Sequence, residues 1–371
     1  MKTHRNIFKI VSIASHTSGK TDFLKSMLAL SLVTLTVPVV VGCSKNTHPQ
    51  DGDFTEVSGR SSVKLAVHHL QEGRVRGLDA MVFNDDQLQR LDCYQRLEDF
   101  EQEDILIGSC GGEKILLLCA NALWEEDFWR EYNSFPKASS LRVSLEDEER
   151  DFPVMTGVAR LKAGEETSLA LERLSSEVIL RSVCCDFSGK PYAGESITEA
   201  KVYLTNVSAT CALVPRPGEP AERIINHAGL IRQDLAEFND TSLIISHIGR
   251  FGKECIFPDV CLRCYPNTAI EESMGTPFTR LVIEGKIQGE TWYWPIDINR
   301  GGVDPEGGSG GGSGVGSGVC PGVERNRRYV FDVTIRGKGT KDPDTPVTAA
   351  MAETVLKAQT WKDKEEYFVG F

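Results

Sequence analysis

Positive charge is scarce in this chain of 371 residues: 41 Lys and Arg stand against 53 Asp and Glu, a net charge of −12. Such a chain is not drawn to a phosphate backbone, so nucleic acid is excluded as a general electrostatic partner. Long hydrophobic runs are also missing. The main uncharged stretch, Met27–Gly42 (MLALSLVTLTVPVVVG), is shorter than the ~20 apolar residues of a spanning helix and contains Pro38. No internal repeat at solenoid spacing is visible. The seven histidines are dispersed, and no His/Glu metal helix, nucleophile–base pair or phosphate loop stands out. An apolar content of 40% with 25% charged residues excludes disorder and a polytopic membrane protein for the chain as a whole.

What is present starts with an address. The apolar run follows Lys20 and Lys25, ends at Cys43 and gives way to polar Ser44-Lys45-Asn46-Thr47, which reads as a secretory signal over residues 1–42. Val40-Val41-Gly42-Cys43 matches a bacterial lipobox, so Cys43 is the expected lipid attachment site; the plainer reading is an ordinary signal with a chance cysteine. Removal of residues 1–42 leaves 36 basic against 52 acidic residues, a net −16, and ten cysteines besides Cys43. An oxidising compartment permits those ten to form disulfides.

From Ser62 onward the dominant pattern has a period of two. Val63, Leu65 and Val67 share one face, as do Tyr329, Phe331, Val333 and Ile335, which marks half-buried strands of antiparallel sheets. Further strands are expected at 78–83, 115–119, 178–183, 201–206, 243–248, 281–287 and 291–295, separated by turn-rich segments. One helix is expected, at Ala122–Tyr132 (ALWEEDFWREY). The fold class is therefore all-β with packed sheets and a minor helix. A boundary near 186–195 gives domains over 61–190 and 191–371, after an anchored first segment at 43–60. Gly301–Val319 is predicted to be a mobile loop, and its formal G-x-S-x-G match at Gly307–Gly311 lacks the strand–turn–helix context of an esterase nucleophile.

Cys255, Cys261 and Cys264 are the best metal or thiol candidates, placed in a loop at Pro258–Pro266. Disulfides are the plainer reading in an exported chain. Adjacent Cys184 and Cys185 point to opposite sides of a strand and so serve different partners. The acidic runs Glu146-Asp147-Glu148-Glu149 and Asp99–Asp104 read as solvated surface, and Trp292 with Trp294 as core rather than a sugar platform. These readings leave no catalytic residue, metal site or cofactor to assign, and a non-enzymatic role follows.

The C-terminal third carries a distinctive succession: Tyr293-Trp294-Pro295-Ile296, the glycine insert, Arg325-Asn326-Arg327-Arg328-Tyr329-Val330-Phe331-Asp332, Gly337-Lys338-Gly339, Asp342-Pro343-Asp344, and a tail with Trp361 and EEYFVGF. Together with Arg76-Gly77-Leu78 and Pro153-Val154-Met155-Thr156-Gly157, it resembles the fimbrillin superfamily of Bacteroidetes, subunits of type V pili. The resemblance implies an outer-membrane lipoprotein with two tandem transthyretin-like antiparallel β-sandwich domains. It further implies removal of a first strand by an arginine-specific protease, and filling of the groove by a neighbour's C-terminal strand. Mapped onto this sequence, the cut falls at Arg60, with Arg74 and Arg76 as competitors. The donor tail lies within 353–371, where Tyr367, Val369 and Phe371 alternate. Implied partners are other fimbrial subunits, the outer membrane through lipid, and a host or bacterial surface receptor. A basal anchor subunit, a non-polymerising lipoprotein that binds glycan or host protein, and a zinc or thiol enzyme at Cys255, Cys261 and Cys264 are the alternatives.

Overall fold

Strand β19 (Arg327–Ile335) shows how the pattern folds: Tyr329, Phe331, Val333 and Ile335 are buried while Val330, Asp332 and Thr334 are not. One-sided burial of a period-two strand requires that alternation. The computed structural model describes residues 61–68, 75–98, 104–122, 124–125, 127–162, 166–214, 216, 221, 223–226, 238, 240–300, 322–348 and 350–360. Among them the fold is all-β, with one α-helix (α1, Phe135–Ser139).

A five-stranded antiparallel sheet has the order β3 (Leu91–Glu98), β2 (Gly77–Asn84), β5 (Glu113–Ala120), β7 (Met155–Lys162), β9 (Glu172–Arg173). Its inner strands β2 and β5 are buried on both faces, so their sequences run continuously apolar instead of alternating. Leu78, Ala80, Val82, Leu116, Leu118 and Ala120 form a small cluster on one face. Met81, Phe83, Ile115, Leu117 and Cys119 join the large core on the other. A three-stranded sheet has the order β4 (Asp104–Ser109), β1 (Ser61–His68), β8 (Glu166–Ala170).

Two four-stranded sheets form a sandwich from the later residues. One has the order β16 (Val260–Cys264), β10 (Ser176–Cys185), β19, β20 (Ala352–Thr360); the other has β15 (Ile245–Phe251), β11 (Ile197–Thr205), β17 (Arg280–Ile287), β18 (Glu290–Asp297). Val178, Leu180, Phe331 and Val333 from the first share one core with Val202, Leu204, Ile283 and Trp294 from the second. Short pairs, β6 (Arg142–Ser144) with β13 (Thr210–Ala212) and β12 (Val207–Ser208) with β14 (Ile224–Ile225), add Val143, Val207 and Cys211 to that core.

Three expectations change. The segment 122–132 is not a helix: it holds one 3₁₀ turn at Phe128–Arg130. Its aromatic rings pack outward from that turn, with Phe128 on Tyr94 at 5.6 Å and on Trp124 at 4.5 Å, and Trp129 stacked on Tyr94 at 5.7 Å. The helix lies just beyond, where extended Ser134 precedes Phe135 and Pro136 occupies the first turn, the position that needs no amide donor. Secondly, the segment expected to be a loop at 258–266 contains β16, because Leu262 and Cys264 are buried against β10 in an antiparallel register. Thirdly, β15 starts later than residue 243, since Thr241–Leu243 forms a 3₁₀ turn whose cap, Asp240, accepts a hydrogen bond from the Ser242 amide at 2.9 Å. β10, which precedes residue 186, pairs with the C-terminal strands β16 and β19.

Candidate functional site

Strand β1 has partners on both edges. It pairs antiparallel with β4 from Ser61↔Ser109 to Ala66↔Asp104, and parallel with β8 from Lys64↔Glu166 to His68↔Ala170. β8 in turn approaches β7 so closely that a Cβ at Gly157 would stand 2.9 Å from the Ala170 carbonyl and 3.0 Å from the Leu169 side chain. Leu169 packs against the small cluster of Leu78, Ala80, Val82, Leu116 and Leu118. The first described strand is thus the middle strand of its sheet. Its departure would leave two facing strand edges with unpaired N–H and C=O groups, a slot one strand wide.

The flank of this sheet is anchored independently of β1. Lys114, wholly buried at the start of β5, reaches Asn84 at 2.5 Å and Asp92 at 3.0 Å. Asp92 also accepts the amide of Cys110, the residue after β4, at 2.8 Å. Burial pushes the Asp92 carboxyl up, but the hydrogen bonds from Lys114 and Cys110 outweigh it and hold the group below the ordinary carboxylate range.

Between β1 and β2 stands exposed Arg76. It forms an ion pair with Glu149 and lies over the Phe152 ring at 3.8 Å. Beside it is a cavity of about 290 Å³ whose lining includes Asp79, Arg96, Asn121 and Trp124. Asp79 is buried and accepts from the Tyr94 hydroxyl and Arg96 Nε, each at 2.8 Å. This geometry pairs charges and offers no activated nucleophile.

The cysteine candidates do not converge. Cys261 and Cys264 lie three residues apart on β16, which sends them to opposite faces: Cys264 is in the core and Cys261 is not. Burial pushes their thiols up to about 11 and about 12, the reverse of what a nucleophile or thiolate ligand needs. Cys255 instead neighbours Cys184. Among the described residues no three His, Cys, Asp or Glu side chains gather as a metal site. Adjacent Cys184 and Cys185 do diverge, Cys185 entering the core cluster.

Two carboxylates expected in solvent are buried. Glu146 pairs with Arg223 at 2.5 Å, and Glu148 accepts from Ser175 at 2.8 Å with its carboxyl pushed up by burial. A 3₁₀ turn at Leu145–Asp147 buries Leu145 and Glu146 and leaves Asp147 exposed, a local geometry that the run of charges does not announce. Trp294 is core, its indole donating to the Gly337 carbonyl at 3.0 Å, and Trp292 packs partly buried beside it. Cys43, Arg60, Gly301–Val319, Tyr367, Val369 and Phe371 lie outside the described residues.

A further centre, at Arg280, was missed. Its side chain is 1% exposed and meets Glu272 at 2.6 Å, Asp297 at 2.7 Å and Asp344 at 2.7 Å. Asp344 also accepts from Asn206 at 2.8 Å. The Asp342-Pro343-Asp344 segment, noticed only as a motif, is thereby tied to β17, β18 and the loop after β16. Residues 353–360 of the expected donor tail lie in β20, which begins at Ala352 and forms the sheet edge, paired with β19 from Arg327↔Thr360 to Ile335↔Ala352.

Solved structures share this architecture. The fimbrilin FimA of Porphyromonas gingivalis W83 matches with a TM-score of 0.57 and 15% identity over 81% of this chain and 97% of its own. This chain has a fimbrillin-like fold. A candidate cell adhesion protein from Bacteroides eggerthii matches with a TM-score of 0.59 and 14% identity, covering 81% of this chain and 96% of its own. A candidate cell adhesion protein from Parabacteroides distasonis matches with 0.56 and 14%, covering 81% and 97%. No protein-family model matches the chain, and no curated protein does.

Proposed function

We propose that the chain is a non-enzymatic structural subunit of a cell-surface fimbria, exported as a lipoprotein through Cys43 and assembled with other subunits by strand exchange. The observation that carries this reading is the middle position of β1 between β4 and β8, in a fold shared with a fimbrilin and candidate adhesion proteins. The exchangeable strand is β1. Its slot would be refilled by the tail of a neighbouring subunit, with Tyr367, Val369 and Phe371 as alternate pocket-filling side chains.

A cut at Arg60 leaves β1 seated as the new N-terminus. A cut at Arg74 or Arg76, in the connection to β2, releases it. The sequence alone favoured Arg60 because it spares β1; the two-sided pairing of β1 favours the later cut, since only that one opens a slot with two edges. Two sandwich domains are proposed as well, with the division before β10, because β10 pairs with later strands.

The reading is tested on surface-harvested full-length protein run unboiled in SDS. A ladder of high-mass species is expected, and it is lost when 361–371 are deleted. That deletion spares β20, so folding is retained and can be checked by thermal melting. Monomers from the intact chain would favour a non-polymerising surface lipoprotein.

A further inference from the structure

Strand β10 ends beside the connection between β15 and β16. There Val183 and Ile256 exchange both backbone hydrogen bonds, Val183 N–H to the Ile256 carbonyl at 3.0 Å and Ile256 N–H to the Val183 carbonyl at 2.9 Å, in an antiparallel bridge. The next pair outward is therefore Cys184 opposite Cys255. Being adjacent to a doubly bonded pair, it is a non-hydrogen-bonded pair, in which Cα atoms stand about 4.5 Å apart and side chains share one face. That separation lies inside the window of about 4.4–6.8 Å that a disulfide accepts.

We propose that Cys184 and Cys255 form a cross-strand disulfide that fastens the β15–β16 connection to β10. The side chains agree with the backbone. Cys255 shares a hydrogen bond with Cys184, which pushes the Cys255 thiol up to about 11. On its other side the Cys184 sulfur lies 3.6 Å from the Thr334 hydroxyl of β19. Cys184 is buried and Cys255 exposed, so an oxidant reaches the pair through Cys255. Cys185 faces the core and contacts the Glu195 carbonyl, out of competition for Cys255.

The step is thiol–disulfide exchange with an external disulfide, either oxidised glutathione or an oxidised protein dithiol of the export pathway. One S–S bond forms between Cys184 and Cys255, two S–H bonds break, and the two electrons and two protons pass to the oxidant, which leaves as two thiols. The connection held in this way passes from one sheet of the sandwich to the other, so the link resists their separation under pull along a fibre. Only this mechanical role, and the presence of an oxidant in the cell, rest on the fimbrial reading.

The full chain is purified reduced, equilibrated folded in a glutathione redox buffer, unfolded at low pH in guanidinium with N-ethylmaleimide to block every free thiol, and digested without reductant. The expected product is a peptide joined through Cys184 and Cys255 with Cys185 alkylated. Cys185→Ser keeps that product, while Cys184→Ser and Cys255→Ser each abolish it. The oxidised wild type is expected to melt several degrees above Cys255→Ser. Full alkylation of Cys184 and Cys255 in folded, glutathione-oxidised protein, or a link from Cys255 to any other cysteine, overturns the proposal. Protein that forms the link in buffer but is harvested reduced from cells supports the pairing and counts against the export reading.

Discussion

Replacing Arg280 with methionine removes the cation that contacts three carboxylates at 2.6–2.7 Å while roughly keeping side-chain length and packing. Breaking a fully buried pair by removing one partner costs about 3–5 kcal/mol; here Arg280 is buried but the three carboxylates it leaves are 27–38% exposed and can be solvated, so about 2–3 kcal/mol is expected. With a urea m-value of about 3 kcal/mol per M for a chain of this size, the midpoint falls by about 0.7–1 M. The loss is also pH-dependent, and its sign follows from Asp297. Burial pushes that carboxyl up and Arg280 opposes the rise, leaving it above its ordinary value. A carboxyl raised in the folded state favours folding below its unfolded pKa, and loses that contribution as pH rises through the folded value. In Arg280→Met the main opposing cation is gone, only the weaker pull of Arg300 remains, and the folded value moves further up. The deficit is therefore largest at pH 7 and shrinks as pH falls towards 4. Urea titrations at pH 7 and pH 4.5 measure both effects, and adding Asp297→Asn to Arg280→Met should recover part of the loss at pH 7. A deficit under about 1 kcal/mol, or one equal at both pH values, would refute the assignment of Arg280 as the centre of this network.

Other expectations follow from the same structure. Asp92 is held below the ordinary carboxylate range, so its contribution is present above pH ~4 and disappears as pH falls through the folded value; the stability gap between wild type and Asp92→Asn, read by thermal melts from pH 5 to pH 2.5, should close with acid. Lys114→Met strands Asp92 and is expected to cost about 3 kcal/mol at pH 7 in urea unfolding. Gly339→Ala places a Cβ 2.0 Å from the Tyr293 carbonyl, so the backbone must move, at a cost of about 2–3 kcal/mol seen as a lower melting point. The Cys184–Cys255 link closes a loop of about 70 residues, for which chain entropy gives about 4 kcal/mol, checked by urea unfolding with and without reductant.

Strands with a regular apolar pattern were legible. β19, buried on one face, declares itself through alternation, and β2 and β5, buried on both, through short apolar runs. β16 was not, because Pro258 and Pro266 bracket it and buried Arg263, one residue from its end, breaks the apolar pattern. The segment from Ala122 to Tyr132 has helical composition, yet Phe128 and Trp129 satisfy themselves against Tyr94 of a neighbouring strand, a contact no local window contains. The candidate site was half visible. The alternation of Val63, Leu65 and Val67 gave β1 as a strand, but its place between β4 and β8 depends on pairing across about 40 and 100 residues, which sequence spacing does not carry. Likewise the Asp-Pro-Asp segment was visible as a motif, while its partner Arg280, 64 residues away, was one arginine among many.

In the proposed assembly, β1 is the strand given up to make room for a neighbour's tail. The N-terminal residue of the subunit in purified surface fibres tests it most directly. Val75 or Gly77, reading from a cut after Arg74 or Arg76, is the predicted result. Fibres whose subunits begin at Ser61, or at an acylated Cys43, would still contain β1 and would contradict it.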